Sequence, residues 1–308
     1  MIDRSRALAA GLAAIALTLV LAACGGAGGT ASSSGSAATT ASSAAAVGAG
    51  NPAVAKLVPA ALRQKGVLTA ATDPTYAPDE FVGPDGHTIV GFDADLAAAL
   101  GRAMGIKVQM VNATFDSIIP GLAAGKYDLA ISSHNDTKDR EKVVDFVDYF
   151  QAGESFFTKA SGGTDISSIA DICGKTVAVE KGTTEVADAQ TQSAACTKAG
   201  KPAVTVLQFN DQNGANLALS SGRAELGFAD TPVAAYQVKQ SSGQFKLVGQ
   251  SYANAVHGIA IPKGSGLAPA VLAALKAIIA NGQYAAVLAK WGVSGLAISH
   301  PQINGATS

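Results

Sequence analysis

Polar side chains follow four runs of the sequence that have the composition of short buried strands. Each run is rich in β-branched and small apolar residues, and open α/β sheets bind ligands at the carboxyl ends of their strands. The residues at these positions are Asp73, Tyr76, Ser133, Asn135, Arg140, Thr183, Thr184 and Asp230. We therefore expect them to meet at one cleft.

The types of these residues indicate the chemistry of the ligand. The planar guanidinium of Arg140, with hydroxyl groups and free amides at a helix start, suits a carboxylate. Asp230 suits an ammonium group. Tyr76 and Phe115 offer flat apolar faces to a carbon skeleton. Together these residues predict a site for a zwitterion.

Three of these residues also have a simpler interpretation. Arg140 lies in the charged run KDREK and could be a solvated helix residue, and Asp230 could only cap the helix that follows. Phe115 could be an ordinary core aromatic. The joint occurrence of a cationic group, an anionic group and aromatic faces favours the ligand site.

Sequence motifs of enzymes and metal sites are absent. The chain has no G-x-S-x-G, H-E-x-x-H, C-x-x-C or Walker-type G-x-x-x-x-G-K, and no G-x-G-x-x-G that opens a helix after a strand. The four histidines, at 87, 134, 257 and 300, are dispersed, so nothing in their spacing argues for a metal site. We predict no catalytic residue, no metal and no cofactor.

The elements that must position the site alternate between short strands and helices, which is typical of α/β architecture. The predicted strands are Leu68–Thr72, Lys107–Asn112, Asp128–Ser132, Thr176–Glu180, Val204–Phe209, Leu226–Asp230 and Gly258–Pro262. Leu96, Leu100 and Met104 recur at a helical spacing after an acidic first turn. Further helices are predicted over Asp116–Ala124 and Ala268–Trp291.

The N-terminal residues predict a lipoprotein signal peptide over residues 1–23. Arg4 and Arg6 precede the apolar run Ala7–Val20, and the small residues of Leu21-Ala22-Ala23 precede Cys24. Cys24 is then the lipid-bearing residue of the mature protein. The alternative is an uncleaved transmembrane helix, but a spanning helix needs about 20 apolar residues and this run is shorter.

Residues 24–55 are predicted to form the lipidated cysteine and a flexible tether. The Gly/Ala/Ser/Thr tract that fills most of this range has no charge and almost no large apolar side chain, so it cannot bury enough surface to become ordered. The formal net charge of the chain is −1, which gives no indication of a nucleic-acid partner.

Two cysteines remain once Cys24 is assigned to the lipid. Cys173 and Cys196 are predicted to form a disulfide, because an exported protein lies in a compartment that permits one. The alternative is a pair of buried thiols.

Seven segments, taken in order, resemble the polar amino-acid solute-binding proteins of bacterial ABC importers, solute-binding protein family 3. The segments are ATDPTYAPDEF, GFDADLAAAL, FDSIIPGLAAGKYDLAIS, TKDREKVVDF, GKTVAVEKGTT, ADTP and ANGQYAAVLAKWGV. Within that family the resemblance is to the glutamine-binding and lysine/arginine/ornithine-binding proteins. It extends from about residue 60 to residue 294.

The resemblance implies the periplasmic-binding-protein type II fold, in which two Rossmann-like α/β lobes close on a ligand cleft between them. Lobe 1 is expected to comprise residues 56–152 and 256–308, and lobe 2 residues 153–255. The two hinge crossings are expected near Phe150–Glu154 and Ala253–His257.

The resemblance also implies which residues hold the two charged groups of an amino acid. Arg140 is expected to bind the α-carboxylate, assisted by Thr184 and by the backbone at Asn135. Asp230 and Ser133 are expected to bind the α-ammonium. Relatives often have Ser or Thr where this chain has Asn135, so the contact there is expected from the backbone alone.

At the other end of the expected ligand, Tyr76 and Phe115 are implied to enclose the side chain, with Asp73 at its far end. Glu180 stands where the glutamine-binding relative has lysine. If Asp73 and Glu180 both face the ligand, the pocket favours a cationic or amide side chain, because unpaired buried like charges are costly. The alternative for Glu180 is an outward-facing position at the strand end.

These observations predict a monomeric, lipid-anchored receptor on the extracytoplasmic face of the cell membrane. It would capture a free amino acid and deliver it to the permease of an ABC importer, touching the membrane only through its lipid. One alternative is an enzyme that resembles cyclohexadienyl dehydratase, with Glu185 as general acid. Another is an amino-acid-sensing lipoprotein.

Overall fold

The computed structural model describes residues 50–307 of the chain. The predicted signal peptide, the lipidation site at Cys24 and most of the predicted tether lie outside the described residues. Within residues 50–307, no single helix is long and apolar enough to cross a membrane.

Eleven strands form two sheets in the part of the chain that the structure describes. The strands are β1 (Val67–Thr72), β2 (Thr75–Tyr76), β3 (Glu80–Val82), β4 (Ile89–Val90), β5 (Lys107–Asn112), β6 (Leu129–Asn135), β7 (Val144–Lys159), β8 (Thr176–Glu180), β9 (Thr205–Phe209), β10 (Leu226–Asp230) and β11 (Phe245–Pro262). The large sheet has the order β5-β1-β6-β11-β7-β10-β8-β9, and the small sheet has the order β2-β3-β4.

Ten α-helices cover the sheets among the described residues. They are α1 (Pro52–Ala55), α2 (Ala60–Lys65), α3 (Phe92–Met104), α4 (Phe115–Ala123), α5 (Lys138–Glu141), α6 (Thr184–Lys198), α7 (Gln212–Ser220), α8 (Thr231–Gln240), α9 (Ala268–Ala280) and α10 (Gln283–Trp291). Two short 3₁₀ helices, Ile169–Ile172 and Ser294–Leu296, complete the set.

The predicted two-lobed α/β fold is confirmed. Strands β5, β1 and β6 run parallel in lobe 1, and β10, β8 and β9 run parallel in lobe 2. The long antiparallel strands β7 and β11 lie between the two groups and belong to both. Because parallel strands end at the same edge, each lobe presents its strand ends and the following loops as one surface.

The crossing strands are irregular where the chain passes between the lobes. The pairing of β11 with β7 changes register between Val248 and Tyr252, between Tyr252 and Ala255, and again between His257 and Gly258. Such bulges bend a strand and interrupt its ladder. The assignment of the exact lobe boundaries to residues 152 and 255 stays a prediction.

Each lobe has its own hydrophobic core. Phe92, Tyr149 and Phe150 pack edge-to-face or tilted in lobe 1, with ring centroids 4.7–6.2 Å apart. In lobe 2, Phe156 stacks on Phe228 with a centroid distance of 4.0 Å. Both clusters include side chains of β7, so this strand joins the two cores.

The helix predicted after the first strand is confirmed as α3. Leu96, Leu100 and Met104 are buried, and Asp93 and Asp95 lie in the first turn, where the helix dipole favours acidic groups. Gly105 ends the helix in the left-handed conformation that glycine adopts at little cost.

The single helix predicted over 268–291 is wrong, because the chain forms α9 and α10 with a bend of 79° between them. Gly282 has a left-handed conformation (φ 80°) and immediately precedes the second helix. The bend lets Tyr284 donate a hydrogen bond of 2.6 Å from its hydroxyl to the carbonyl of Tyr149. The apolar pattern continues across the break, so it does not reveal the bend.

The folded body begins earlier than the predicted end of the tether at residue 55. The side chain of Asn51 caps α1, and the Asn51 amide donates a 3.0 Å hydrogen bond to the carbonyl of Ala103 on α3. Val54 is buried against lobe 1. A proline at the first helical position and an asparagine cap are the local signals of this short helix.

The predicted disulfide is confirmed. Cys173 and Cys196 are bonded, with their Cα atoms 5.6 Å apart, and the bridge joins the start of lobe 2 to α6. Cys196 is buried in the lobe 2 core.

We expect removal of the disulfide to lower the free energy of unfolding by about 3 kcal/mol, because the bridge closes a loop of 23 residues and restricts the unfolded chain. Urea unfolding of residues 50–308 with and without a reductant measures the difference. The Cys173→Ser/Cys196→Ser variant is the control and should show no response to the reductant. Equal stability of the oxidised and reduced proteins would contradict the expectation.

Candidate functional site

The ten predicted site residues lie at strand ends or helix starts on the facing edges of the two lobes. Lobe 1 contributes Asp73, Tyr76, Phe115, Ser133, Asn135 and Arg140, and lobe 2 contributes Glu180, Thr183, Thr184 and Asp230. Seven of them are buried, whereas Arg140, Thr183 and Thr184 are partly exposed. The lobes are in contact, so several of these side chains bond across the cleft.

Asp230 is held by one aromatic group from each side. The Tyr76 hydroxyl donates to Asp230 Oδ2 at 3.2 Å and accepts from the Asp230 amide at 3.1 Å. His257 Nε2 lies 3.2 Å from Asp230 Oδ1. Burial and the neighbouring Asp230 raise the pKa of Tyr76 well above its usual value, so the phenol stays protonated. Asp230 is therefore a fixed acceptor inside the cleft and does not cap α8 with its side chain.

Arg140 crosses the cleft and is not a solvated surface charge. Its guanidinium donates to the carbonyl of Asn135 at 2.9 Å and to the carbonyl of Gly182 on the opposite lobe at 2.9 Å. The guanidinium carbon lies 5.6 Å from the centroid of the Phe115 ring. Burial lowers the pKa of Arg140, but arginine remains charged at physiological pH. The donors left over on this fork can bind a carboxylate.

Phe115 begins α4 and stacks on His134, with ring centroids 4.3 Å apart and an interplanar angle of 15°. His134 is buried, and neither ring nitrogen has a hydrogen-bond partner among the described residues. Burial and the nearby Arg140 lower the pKa of His134 well below its usual value, so this ring is neutral. Phe115 can therefore be a core aromatic and also contact a ligand, because its packing on the protein uses one face of the ring.

The hydroxyl of Ser133 already has an acceptor. Ser133 has a left-handed backbone (φ 45°), and its hydroxyl donates to Asp79 Oδ2 at 2.7 Å. The oxygen of this hydroxyl can still accept a hydrogen bond. An ammonium group donates and never accepts, so this arrangement remains suitable for one.

Thr183 precedes α6 and Thr184 begins it, and the two residues have different contacts. The Thr183 hydroxyl donates to the carbonyl of Glu180 at 2.8 Å. The Thr184 hydroxyl lies 3.1 Å from Asn135 Oδ1 across the cleft and 2.8 Å from Glu154 Oε1. Asn135 was expected to contribute only its backbone, but its side chain also contacts the opposite lobe.

Asp73 and Glu180 face each other across the cleft. Both are buried, and each carboxyl group lies close enough to the other to shift its pKa. Asp73 also accepts from the Thr75 hydroxyl at 2.8 Å and from the Phe115 amide at 3.0 Å, whereas Glu180 Oε1 has no partner among the described residues. Glu180 is thus not the outward-facing residue of the alternative interpretation.

The environment of this pair favours a cation. Burial raises the pKa of Asp73, although the donated hydrogen bond from Thr75 partly opposes the shift. Burial and the charge of Asp73 raise the pKa of Glu180 well above its usual value. Neither carboxylate makes a salt bridge with a basic side chain within residues 50–307. A guanidinium or ammonium group placed here would let both carboxyls ionise.

Two contacts at the rim hold the lobes together beside this pair. Lys181 Nζ lies 2.7 Å from Asp116 Oδ2, which joins the residue after β8 to the first turn of α4. Gly182 has a left-handed backbone (φ 86°), and a Cβ atom there would lie only 2.9 Å from the Asp116 Cβ atom. A residue with a side chain at this position would therefore obstruct closure.

Four buried or half-buried acids near the hinge were not among the predicted site residues. They are Asp136, Glu154 and Asp188, and Glu185, which was named only as a possible general acid. Glu154 lies in β7, is buried, and borders a cavity of about 350 Å³ that also contacts Thr184. A single glutamate inside a strand that is buried on both faces has no pattern that marks it in the sequence.

Among residues 50–307, no group of three or more His, Cys, Asp or Glu side chains is arranged to hold a metal ion.

The family model for bacterial extracellular solute-binding proteins, family 3, matches residues 68–294. The chain belongs to this family. Within family 3, the chain is 35% identical over 254 residues to the arginine-binding protein ArgT of Corynebacterium glutamicum, and the match covers 82% of this chain and 83% of ArgT. It is 34% identical over 224 residues to the L-arginine-binding protein of Pseudomonas aeruginosa, covering 70% and 84% of the two chains.

Solved structures of similar proteins have the same fold. An ancestral arginine-binding protein bound to arginine is 36% identical, with a TM-score of 0.67 and coverage of 73% of this chain and 98% of that one. AncCDT-1, an ancestral amino acid-binding protein and precursor of cyclohexadienyl dehydratase, is 34% identical, with a TM-score of 0.65 and coverage of 75% and 97%. The expected family and fold are thereby confirmed.

The buried acids of this family 3 protein predict that its stability falls as the pH rises from about 5 to about 8. Burial and Asp230 raise the pKa of Glu154 to about 8, and burial and Asp148 raise that of Asp136 to about 8. The unfolded chain releases these protons near pH 4 to 5, but the folded protein retains them up to about pH 8. Between these values the folded state binds more protons, so raising the pH favours unfolding.

Thermal unfolding of the ligand-free protein at constant ionic strength, from pH 5 to pH 9, measures this dependence. Glu154→Gln should flatten the fall in Tm, because the amide does not titrate. Asp165→Asn, which changes a carboxyl that is 77% exposed, is the control and should retain the wild-type slope. A Glu154→Gln profile that matches the wild type would contradict the assignment.

Proposed function

We propose that this protein is a lipid-anchored extracytoplasmic receptor that captures an amino acid with a cationic side chain, arginine in the first place, and delivers it to an ABC importer. The observation that carries the proposal is the pair of neighbouring buried carboxyl groups, Asp73 and Glu180, one from each lobe. The names of the relatives, several of which are arginine-binding proteins, support the same ligand.

The proposed ligand extends along the cleft with its zwitterionic end at Arg140. The α-carboxylate binds the free donors of Arg140 and the start of α6 at Thr184. The α-ammonium donates to Asp230 and to the hydroxyl oxygen of Ser133. These contacts come from both lobes, so the ligand is bound fully only when the lobes are closed, and it shifts the population toward the closed state.

The side chain of the proposed ligand lies beside Tyr76 and Phe115 and ends between Asp73 and Glu180. A guanidinium can donate to two carboxylates at once, and charge-assisted hydrogen bonds in a buried site are stronger than neutral ones. Glutamine can donate through its amide but brings no charge. A glutamate side chain would add a third carboxyl to the pair, so acidic amino acids are excluded.

The dehydratase alternative has one observation in its favour. Glu185 is buried, and burial with the nearby Glu154 raises its pKa well above the usual value, as a general acid requires. Asp230 argues against a dehydratase. A fixed carboxylate beside Tyr76 suits an ammonium group, and a cyclic acid without nitrogen has none. Incubation with prephenate or arogenate distinguishes the two functions, and the receptor proposal expects no turnover.

A sensing role and an import role use the same ligand site, so the ligand does not separate them. We favour import because the relatives that match most of this chain include two named as binding proteins of ABC transporters. Uptake of labelled arginine by host cells with and without this protein tests the choice, and unchanged uptake in its absence would argue against import.

We expect Glu180→Gln to weaken arginine binding by roughly 10- to 100-fold, because it removes a charge-assisted hydrogen bond from the buried end of the ligand. Binding of glutamine should change by only a few fold. Isothermal titration of residues 50–308 with both amino acids measures the two affinities, and Asp165→Asn is the control with an exposed carboxyl.

Arg140→Ala in the same titration should abolish binding of every amino acid, because the carboxylate partner is common to all of them. An arginine affinity unchanged by Glu180→Gln would show that the side-chain end lies elsewhere. Micromolar binding by Arg140→Ala would argue against its carboxylate role.

The lipid anchor predicts a separate result. Wild-type protein expressed in its host should remain with the membrane fraction and enter the detergent phase, whereas Cys24→Ser should be recovered in the aqueous phase. Phase partition of both forms measures the difference, and Cys173→Ser/Cys196→Ser, which retains Cys24, should behave as the wild type. Equal partition of Cys24→Ser and wild type would refute the anchor at Cys24.

A further inference from the structure

Thr75 connects the cation end of the cleft to the opposite lobe. Its hydroxyl donates to Asp73 Oδ1 at 2.8 Å and accepts from the backbone amide of Gln212 at 3.1 Å. Thr75 belongs to β2 in lobe 1, whereas Gln212 is the first residue of α7 in lobe 2. One hydroxyl group thus bonds a site residue on one lobe and the backbone of the other.

The Gln212 amide is one of the donors that a helix start leaves without a partner inside the helix. Asp211 caps α7 by accepting from the Gly214 amide at 2.7 Å, so this cap does not use the Gln212 amide. Thr75 supplies the missing acceptor only when the lobes are together. Separation of the lobes would remove this partner from α7.

The hydroxyl also fixes Asp73. Asp73 Oδ1 accepts from Thr75 and Oδ2 accepts from the Phe115 amide, so both carboxylate oxygens have a set direction. The remaining capacity of Asp73 then faces Glu180. Because the Thr75 hydroxyl oxygen accepts from the Gln212 amide, the hydroxyl proton points away from that amide and is donated to Asp73.

We propose that Thr75 is a positioning residue that couples cation recognition at Asp73 to closure of the two lobes. This inference rests on the proposed function, because it takes Asp73 as part of the site for the ligand's cationic group. Thr75 itself touches no ligand in this account. It acts by orienting Asp73 and by completing the start of α7 in the closed state.

Charged groups around Asp73 set the background for a pH measurement. Glu180 from β8 is its neighbour across the cleft, and Asp211 before α7 acts on it through space. On the rim, Lys181 is paired with Asp116 at 2.7 Å. The bond from Thr75 lowers the pKa of Asp73 against the effect of burial, so loss of the hydroxyl should raise that pKa.

The test compares Thr75→Val with Thr75→Ser. Valine keeps the shape and removes the hydroxyl, and we expect arginine binding about 10-fold weaker at pH 7, mainly through faster dissociation. The loss should grow toward pH 5, because Asp73 would hold a proton more readily. Serine restores the hydroxyl and should restore both the affinity and the pH profile.

A second pair of variants tests the other half of the bridge without changing Thr75. Gln212→Pro removes the backbone donor, and proline is well tolerated at the first position of a helix. Gln212→Ala removes the same side chain but keeps the amide. We expect Gln212→Pro to bind arginine roughly 5- to 10-fold more weakly than Gln212→Ala, with the pH profile unchanged. The double variant Thr75→Val/Gln212→Pro should bind arginine no more weakly than Thr75→Val alone, because both changes remove the same bond.

These measurements separate the inference from the proposed function. If wild-type protein binds no cationic amino acid, the proposed function is wrong. If wild-type protein binds arginine, but Thr75→Val matches it in affinity, dissociation rate and pH profile, the role of Thr75 is wrong. Independent losses that add fully in the double variant would also overturn the coupling.

Discussion

Two carboxyl groups that would repel each other meet in the cleft, one from each lobe. Asp73 follows β1 in lobe 1 and Glu180 ends β8 in lobe 2, and both are buried when the lobes touch. Without a cation, at least one of them must hold a proton, because two ionised carboxylates in contact in a buried site are strongly unfavourable. Closure of the lobes and the charge of this site are therefore linked.

The fold brings this pair together through the ends of its parallel strands. Each lobe presents a row of strand ends, and the crossing strands β7 and β11 set these rows opposite one another. Around the pair, Arg140 reaches the backbone of lobe 2, Tyr76 holds Asp230, and Lys181 pairs with Asp116. These bonds fix the positions of both ends of the cleft, and under the proposed function a ligand would be selected by its two charged ends together.

Sequence patterns predicted the parts of the protein that depend on local order. The seven predicted strands are present because their runs are rich in β-branched and small apolar residues, and α3 because its apolar residues recur at a helical spacing. The polar residues after the strands lie on the facing edges of the two lobes. The bend at Gly282 and the acid Glu154 were missed, because the first lies within a continuous apolar pattern and the second within a doubly buried strand. The proximity of Asp73 and Glu180 depends on how the two lobes close, which local spacing does not encode.

A crystal structure of residues 50–308 with L-arginine tests the central claim most directly. We predict lobes closed around the ligand, with the guanidinium nitrogens within hydrogen-bonding distance of both Asp73 and Glu180 and the α-carboxylate on Arg140. A guanidinium that lies away from these two carboxyls, or points into solvent while they remain in contact with each other, would contradict it.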